Sequence, residues 1–387
     1  MEEKKMSIRF IGTHDRDLKM FENQYPLSAG MSYNSYLIDG QKTAVMDSVD
    51  ERKTREWLDN LEKALAGRPL DYLIVQHMEP DHSGSLAVAL EKYPNVKVVG
   101  NNKTFNMIHA FFPQLDLSID RKLMVQDKDI LDLGDHKLQF FFAPMVHWPE
   151  VMMTYDMTDQ VLFSADAFGK FGCGDVADDW VTEARRYYFN IVGKYGPQVQ
   201  TLLKKLSGLE IKKICGLHGP QLTENLDQYL GLYQTWSSYA PEEKGVFIPV
   251  ASIYGHTLAA AREAEKALAS RGIEIKLMDL TKVDVSEAVA QAFRFDRMLL
   301  AASSYDAQVY PPMQDFLHHL ANKAFQGRKI AIMENGSWGP TAARTMKKIM
   351  EGWKNIEFIE PQVTIRSTLN EESREKMAEL VEALAEA

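Results

Sequence analysis

His77-Met78-Glu79-Pro80-Asp81-His82 follows directly on the apolar run Tyr72-Leu73-Ile74-Val75. Four potential metal ligands, His77, Glu79, Asp81 and His82, thus share one turn at the end of a buried strand. Imidazoles and carboxylates crowded into a desolvated turn are tolerable when a cation compensates them. Three more candidates stand at the ends of apolar runs: His147 in Pro144-Met145-Val146-His147-Trp148-Pro149, Asp166 in Phe163-Ser164-Ala165-Asp166, and His218 in Ile214-Cys215-Gly216-Leu217-His218-Gly219-Pro220. Strand ends are where folds present site residues. Together the seven suit two metals, with Asp166 as the natural bridge, since one carboxylate offers an oxygen to each ion.

The chain around this motif has 387 residues, 45% hydrophobic and 25% charged, which is long for one core and predicts two domains. A formal net charge of -10 argues against nucleic acid and anionic membranes as partners and leaves small molecules or other proteins. No apolar segment is long enough to cross a bilayer, and the start Met1-Glu2-Glu3-Lys4-Lys5-Met6 lacks the apolar core of a signal peptide, so a cytoplasmic location is expected. Cys173 and Cys215 are the only cysteines, too few for a disulfide framework or a four-cysteine centre. Any metal must be held mainly by His, Asp and Glu.

From about Gly245 onward, β-type runs alternate with amphipathic stretches. Strands are predicted at 246–250, 273–277, 298–302, 330–333 and 356–359, and helices at 258–270, 286–293, 312–325, 341–351 and 371–387. Such alternation makes a doubly wound parallel sheet. The first half is less regular, with short runs such as Leu138-Gln139-Phe140-Phe141-Phe142 and Val161-Leu162-Phe163-Ser164 between helices, and reads as an α/β sandwich. The polar stretch Tyr239-Ala240-Pro241-Glu242-Glu243-Lys244-Gly245 marks the expected boundary, giving domains of 1–243 and 244–387.

The loop Ala251-Ser252-Ile253-Tyr254-Gly255-His256-Thr257 joins a strand to a helix, and its hydroxyls, glycine and successive amides make a phosphate cradle. Two later strand ends carry aromatics, in Ser303-Ser304-Tyr305-Asp306-Ala307-Gln308 and in Asn335-Gly336-Ser337-Trp338-Gly339-Pro340. Ligands of open α/β sheets bind at that end. Tyr305 and Trp338 read either as partners of a planar ring such as flavin or as packing residues.

The order of the metal candidates resembles the metallo-β-lactamase superfamily, with Glu79 where its hydrolases carry a second histidine. A carboxylate there hardens the ligand set and shifts preference from zinc towards iron. The second half is similar to flavodoxin, which implies FMN, although His256 stands where an Asn is common. Nearly the whole chain therefore resembles the flavodiiron proteins, or A-type flavoproteins, on His77-x-Glu79-x-Asp81-His82, His147-Trp148-Pro149-Glu150, Asp166, His218-Gly219-Pro220, the 252–257 loop and Tyr310-Pro311-Pro312-Met313-Gln314-Asp315-Phe316.

This resemblance implies a metallo-β-lactamase-like αββα sandwich followed by a flavodoxin-like doubly wound parallel sheet. It also implies an oxidoreductase that reduces O2 to water, NO to N2O, or both. His77, Glu79 and His147 would hold one iron of a non-haem diiron pair, and Asp81, Asp166 and His218 the other, with Asp166 bridging. The histidine at the position of His82 sometimes binds iron in this family and sometimes turns away. Ser252, Ile253, Tyr254, Gly255, His256, Thr257, Ser304, Tyr305, Asp306, Ala307, Gln308, Gly336, Ser337, Trp338 and Gly339 would surround FMN. Tyr195 resembles a tyrosine near the family's diiron pocket; its other reading is a helix-end surface aromatic. The family further implies a head-to-tail homodimer or a dimer of dimers. With no rubredoxin-like segment after the last helix, the expected donor is a separate molecule, rubredoxin or else a reduced deazaflavin. Two other readings remain at this point: a zinc hydrolase fused to a flavodoxin, and an FMN electron carrier with a structural metal site.

Overall fold

Short β-branched and aromatic runs separated by polar turns build two sheets in the first part of the chain. The computed structural model describes residues 7–387, so Met1–Met6, read above for a leader, lie outside the described residues. The first sheet contains β1 (Ile8–Phe10), β2 (Tyr36–Asp39), β3 (Thr43–Met46), β4 (Tyr72–Ile74), β5 (Lys97–Gly100) and β6 (Lys122–Met124), in that spatial order. Its first three strands are antiparallel neighbours and the remaining pairings are parallel. The second sheet contains β7 (Ile130–Asp132), β8 (Lys137–Phe142), β9 (Met152–Asp156), β10 (Val161–Phe163) and β11 (Lys213–Cys215). Only its last pair, β10 with β11, is parallel.

Apolar side chains from both sheets meet in one core, with Ile38, Met46, Ile74 and Val99 from the first and Leu138, Phe140, Phe163 and Cys215 from the second, all buried. Helices flank the pair. Thr54–Leu65 buries Trp57, Leu61 and Leu65, a spacing of four that keeps them on one face. Gly196–Leu206 runs beside β8, where Lys205 Nζ donates to the Phe142 carbonyl at 3.0 Å. The result is an αββα sandwich, as the resemblance implied.

The second sheet system is wholly parallel on its main path: β12 (Glu243–Ala251), β13 (Ile275–Asp279), β14 (Phe295–Tyr305), β15 (Arg328–Asn335) and β16 (Ile356–Ile365), in the order β13-β12-β14-β15-β16. That is the flavodoxin order. Helices His256–Ala269 and Glu371–Glu386 cover one face through Ala260, Ala264, Leu268, Leu380 and Leu384. The helices alternate with the strands much as the sequence predicts. Among the described residues, no helix is long and apolar enough to cross a membrane.

The chain packs as two units. The first reaches Tyr188 and takes up Pro197–Tyr233, and the second holds Phe189–Gly196 and Gln234–Ala387. Phe189 belongs with the second unit because its ring stacks on Phe293 at 4.0 Å.

At one end of the second unit's sheet, the buried Arg328 guanidinium donates to the carbonyls of Phe293 at 2.6 Å, Phe295 at 2.7 Å and Tyr239 at 2.8 Å. Burial pulls it down to about 10, so it remains charged at neutral pH. It ties the end of one helix, the start of β14 and the segment before β12 to a single group. Without it, three buried acceptors lose a donor. Arg328→Met is expected to lower the urea stability of the second unit by about 3 kcal/mol, measured by fluorescence, with metal content unchanged.

Candidate metal centre and cofactor loops

Four strand ends carry the metal candidates to one place. β4 runs into His77–His82, the β8–β9 connection carries His147, and β10 and β11 lead into Asp166 and His218. The first loop is held by Asp47, whose Oδ1 accepts the Gln76 amide at 2.7 Å and the His77 amide at 3.1 Å. Pro80 opens the short helix Pro80–Ser83, which presents Asp81 and His82.

The side chains form two cages that meet at Asp166. In the first, His77 Nε2 and His147 Nε2 lie 3.2 and 3.0 Å from Glu79 Oε2, and 3.4 and 3.0 Å from Asp166 Oδ2. In the second, His82 Nε2 and His218 Nε2 each lie 3.3 Å from Asp81 Oδ2, and 3.1 and 3.7 Å from Asp166 Oδ1. Donors about 2.0–2.2 Å from one ion stand roughly 3–3.5 Å apart around a tetrahedron. The spacing of each cage suits a metal ion. His82 points inward, and its Nε2 lies 3.1 Å from that of His218.

The electrostatics ask for the same thing. Apart from the imidazole nitrogens of the cages themselves, no donor meets the buried carboxylate oxygens of Asp81 and of Asp166. Buried carboxylates met only by imidazoles, which are neutral at their ordinary value, cost several kcal/mol, about as much as a bound cation would recover. Burial opposes charge on every group here. Asp166 nevertheless draws His77 well above the ordinary imidazole value, and Asp166 with Glu79 pushes His147 up to about 9. Conversely, His77 and His147 hold Asp166 and Glu79 below the usual carboxylate range despite their burial. Neither cage contains a thiolate. Imidazoles and carboxylates suit a first-row transition metal of intermediate hardness.

A cleft of about 430 Å³ opens onto this centre, lined in part by Phe21, Glu22, Tyr33, Arg52, Glu79 and Asp81. Burial and then Glu79 push the Glu22 carboxyl up to about 7, although its side chain also reaches solvent. Phe21, Tyr187 and Tyr33 set their rings against His218, with centroids 5.5, 5.4 and 6.2 Å away. Trp148 stands edge-on to His77 at 5.3 Å. Of these, the sequence marks only Trp148, through its place beside His147. Phe21, Glu22, Tyr33 and Tyr187 come from segments without a local ligand pattern and are recruited by the fold.

In the second unit, the 252–257 loop ends β12 and Gly255 caps the following helix at φ 91°, with no side chain capping its first turn. The amide donors of that turn are thus available to an anion. A β-carbon at Gly255 would meet nothing within 4 Å, so the space over the cradle is open. Tyr254 and Trp338 are 91% and 93% exposed and Tyr305 is 45% exposed, an unusual display of aromatic surface around one cradle. Asp306 and Ala307 form the tip of a hairpin, both at positive φ. Ser304 Oγ accepts the Thr341 and Ala342 amides, so it organises the neighbouring helix start. Gly336 packs too tightly against Pro340 for a side chain.

A family model described as ODP family beta lactamase matches residues 31–219. The anaerobic nitric oxide reductase flavorubredoxin of Vibrio vulnificus is 29% identical over 349 residues, covering 86% of this chain and 69% of that protein. Diflavin flavoprotein A 1 of Synechocystis sp. is 32% identical over 289 residues, covering 73% of this chain and 50% of that protein. The rubredoxin oxygen:oxidoreductase of Desulfovibrio gigas has the same fold, with a TM-score of 0.90 at 21% identity over 99% of this chain and 97% of that one. The flavodiiron protein from Giardia intestinalis matches at 0.89 and 22% identity, over 99% and 97%. The chain is thus a homologue of flavorubredoxin and of diflavin flavoprotein A, and it has the flavodiiron fold.

Tyr195 lies in the turn Gly193–Tyr195, which packs with the second unit, whereas the two cages belong to the first. The tyrosine rings against His218 are those of Tyr187 and Tyr33. Asp166 is the group both cages share, so Asp166→Asn is expected to reduce the metal bound by elemental analysis by half or more, with the far-ultraviolet circular dichroism unchanged. His82→Ala is expected to weaken metal binding about 10- to 100-fold at the second cage alone, read by competition with a chelator.

Proposed function

We propose that this protein is a flavodiiron oxidoreductase that passes electrons from an external donor through FMN to a non-haem diiron pair and so reduces O2 to water, NO to N2O, or both. The observation that carries this reading is the division of Asp166, one oxygen to each cage, each completed by two imidazoles and a carboxylate. His77, Glu79, His147 and Asp166 would hold one iron, and Asp81, His82, His218 and Asp166 the other. Bound iron supplies one-electron chemistry at two adjacent centres. Glu79 favours iron over zinc by adding a hard negative ligand where an imidazole would be neutral.

The remaining side chains shape access. Phe21, Tyr33 and Tyr187 give the buried side of the second cage an aromatic wall, which suits a small apolar gas better than a charged substrate. In the second unit, the Ser252–Thr257 turn would bind the FMN phosphate, with Ser304–Gln308 and Gly336–Gly339 bordering the ring. FMN supplies the exchange between two-electron and one-electron transfer. Tyr254, Tyr305 and Trp338 offer stacking surface that is exposed without it.

Rubredoxin is the proposed donor, with a reduced deazaflavin as the alternative. A cytoplasmic, head-to-tail homodimer, alone or as a dimer of dimers, completes the reading. Iron- and FMN-loaded protein given reduced rubredoxin should consume O2 or NO in separate anaerobically prepared assays. His147→Ala should abolish consumption while leaving FMN reducible. FMN reduction without consumption of either gas would instead support a carrier, and zinc rather than iron as the metal bound by the purified protein would support a hydrolase.

A further inference from the structure

The two cages have matched ligand sets, each with two imidazoles and one carboxylate of its own around the shared Asp166. Their surroundings are unequal. His77 Nδ1 donates to Glu150 Oε1 at 2.7 Å, and the same oxygen accepts the Met78 amide at 2.9 Å. Glu150 is fully buried, its second oxygen meets no donor, and its backbone carbonyl accepts Asn101 Nδ2 at 2.6 Å. In the second cage, His218 Nδ1 donates to a neutral acceptor, the Ser32 carbonyl, at 2.8 Å, and His82 Nδ1 is buried without a partner.

Other nearby carboxylates do not remove the difference. Asp47 accepts from the Gln76 and His77 amides and the Gln76 side chain and attracts His82 through space, but it makes no hydrogen bond to an imidazole of either cage. Glu22 acts on Glu79 and His147 more than on Asp81 and so leans to the first cage, the same side as Glu150. Among the hydrogen bonds described, Glu150 is the carboxylate that binds the outer nitrogen of a cage imidazole.

We propose that Glu150 is a positioning residue that locks His77 with Nε2 towards the first cage and, through its buried negative charge, makes that cage hold ferric iron more firmly than the second. The inference rests on the diiron reading. Oxidation of a ferrous ion in the first cage gives a ferric ion and one electron, which passes to the gas in turnover or to a mediator dye in a titration. The product carries one more positive charge. A carboxylate bonded behind the imidazole favours that product by raising ligand basicity and by direct attraction. A backbone carbonyl, as behind His218, does so less.

Glu150→Gln separates charge from shape, because its amide oxygen keeps both acceptor roles. Iron-loaded holoprotein would be titrated with mediator dyes while electron paramagnetic resonance follows the half-reduced pair. In the parent the second cage is reduced first, so the half-reduced state spans a broad range of potential. In Glu150→Gln the ferric-to-ferrous ratio of the first cage at fixed potential should fall about tenfold, narrowing that range by about 59 mV. Glu150→Asp keeps the charge and should retain the parent's order and range, which also tests the idea if the glutamine variant does not fold. An unchanged range in Glu150→Gln, equal shifts of both steps, or a collapsed range in Glu150→Asp would overturn the proposal. A parent that binds fewer than two irons or gives no half-reduced signal would fail the diiron reading itself, a different result from an intact pair indifferent to Glu150.

Discussion

Asp166 sets the terms for the rest of the first unit. It is almost completely buried, and its oxygens are met only by the imidazoles of the two cages. Carboxylate and imidazole atoms of the first cage lie within 4.8 Å of one another. At that range two like charges repel by roughly 3–4 kcal/mol even at an effective dielectric constant of about 20. A fold assembled around Asp81, Glu79 and Asp166 therefore needs positive charge between them. Imidazoles drawn towards protonation supply some of it, and two metal ions would supply it more completely. The sandwich core below the site, from Ile38 to Phe163, is ordinary packing; what it provides is four strand ends brought to one edge.

Holding those ends in place requires backbone conformations that side chains resist. Ala165, immediately before Asp166, has φ 49°, Met145, two residues before His147, has φ 66°, and Asp47, which anchors the His77 loop, has φ 52°. Each left-handed non-glycine residue costs roughly 1–2 kcal/mol. Strain concentrated beside ligands is a common feature of sites that must keep a fixed geometry. Gly219, with φ 77°, meets the same need without the penalty directly after His218, and a β-carbon there would collide with the buried stem of Lys170. The sheet thus brings the ligands near one another, and these turns aim them.

The seven ligand candidates were legible because each follows a recognisable strand-like run, and the alternation after Gly245 was legible because parallel βα units repeat one pattern. Tyr187 was not legible. It sits in a helix among other aromatics, and nothing local distinguishes it from Tyr188 or from Tyr195; only tertiary packing sets it against His218. Glu150 is an intermediate case, since its neighbours His147 and Trp148 marked the segment but its bond to His77 spans 73 residues. The place of Phe189–Gly196 in the second unit was hidden for a similar reason, as the segment continues an aromatic helical run with no polar break.

The ligand count also constrains what the centre can do. Three carboxylates and four imidazoles carry three negative charges when the imidazoles are neutral. A diferrous pair would leave the cages with one positive charge and a diferric pair with three, and Glu150 lowers each balance by one. Each balance is one positive charge smaller than a neutral histidine in place of Glu79 would leave. In the proposed diiron reading this balance would help the centre gain and lose electrons while keeping its ions, whereas a hydrolase, whose metal charge never changes, would gain nothing from the carboxylate of Glu79. In the proposed reading Glu79 would limit how much charge the pair carries, while Glu150 would set how unevenly that charge is shared.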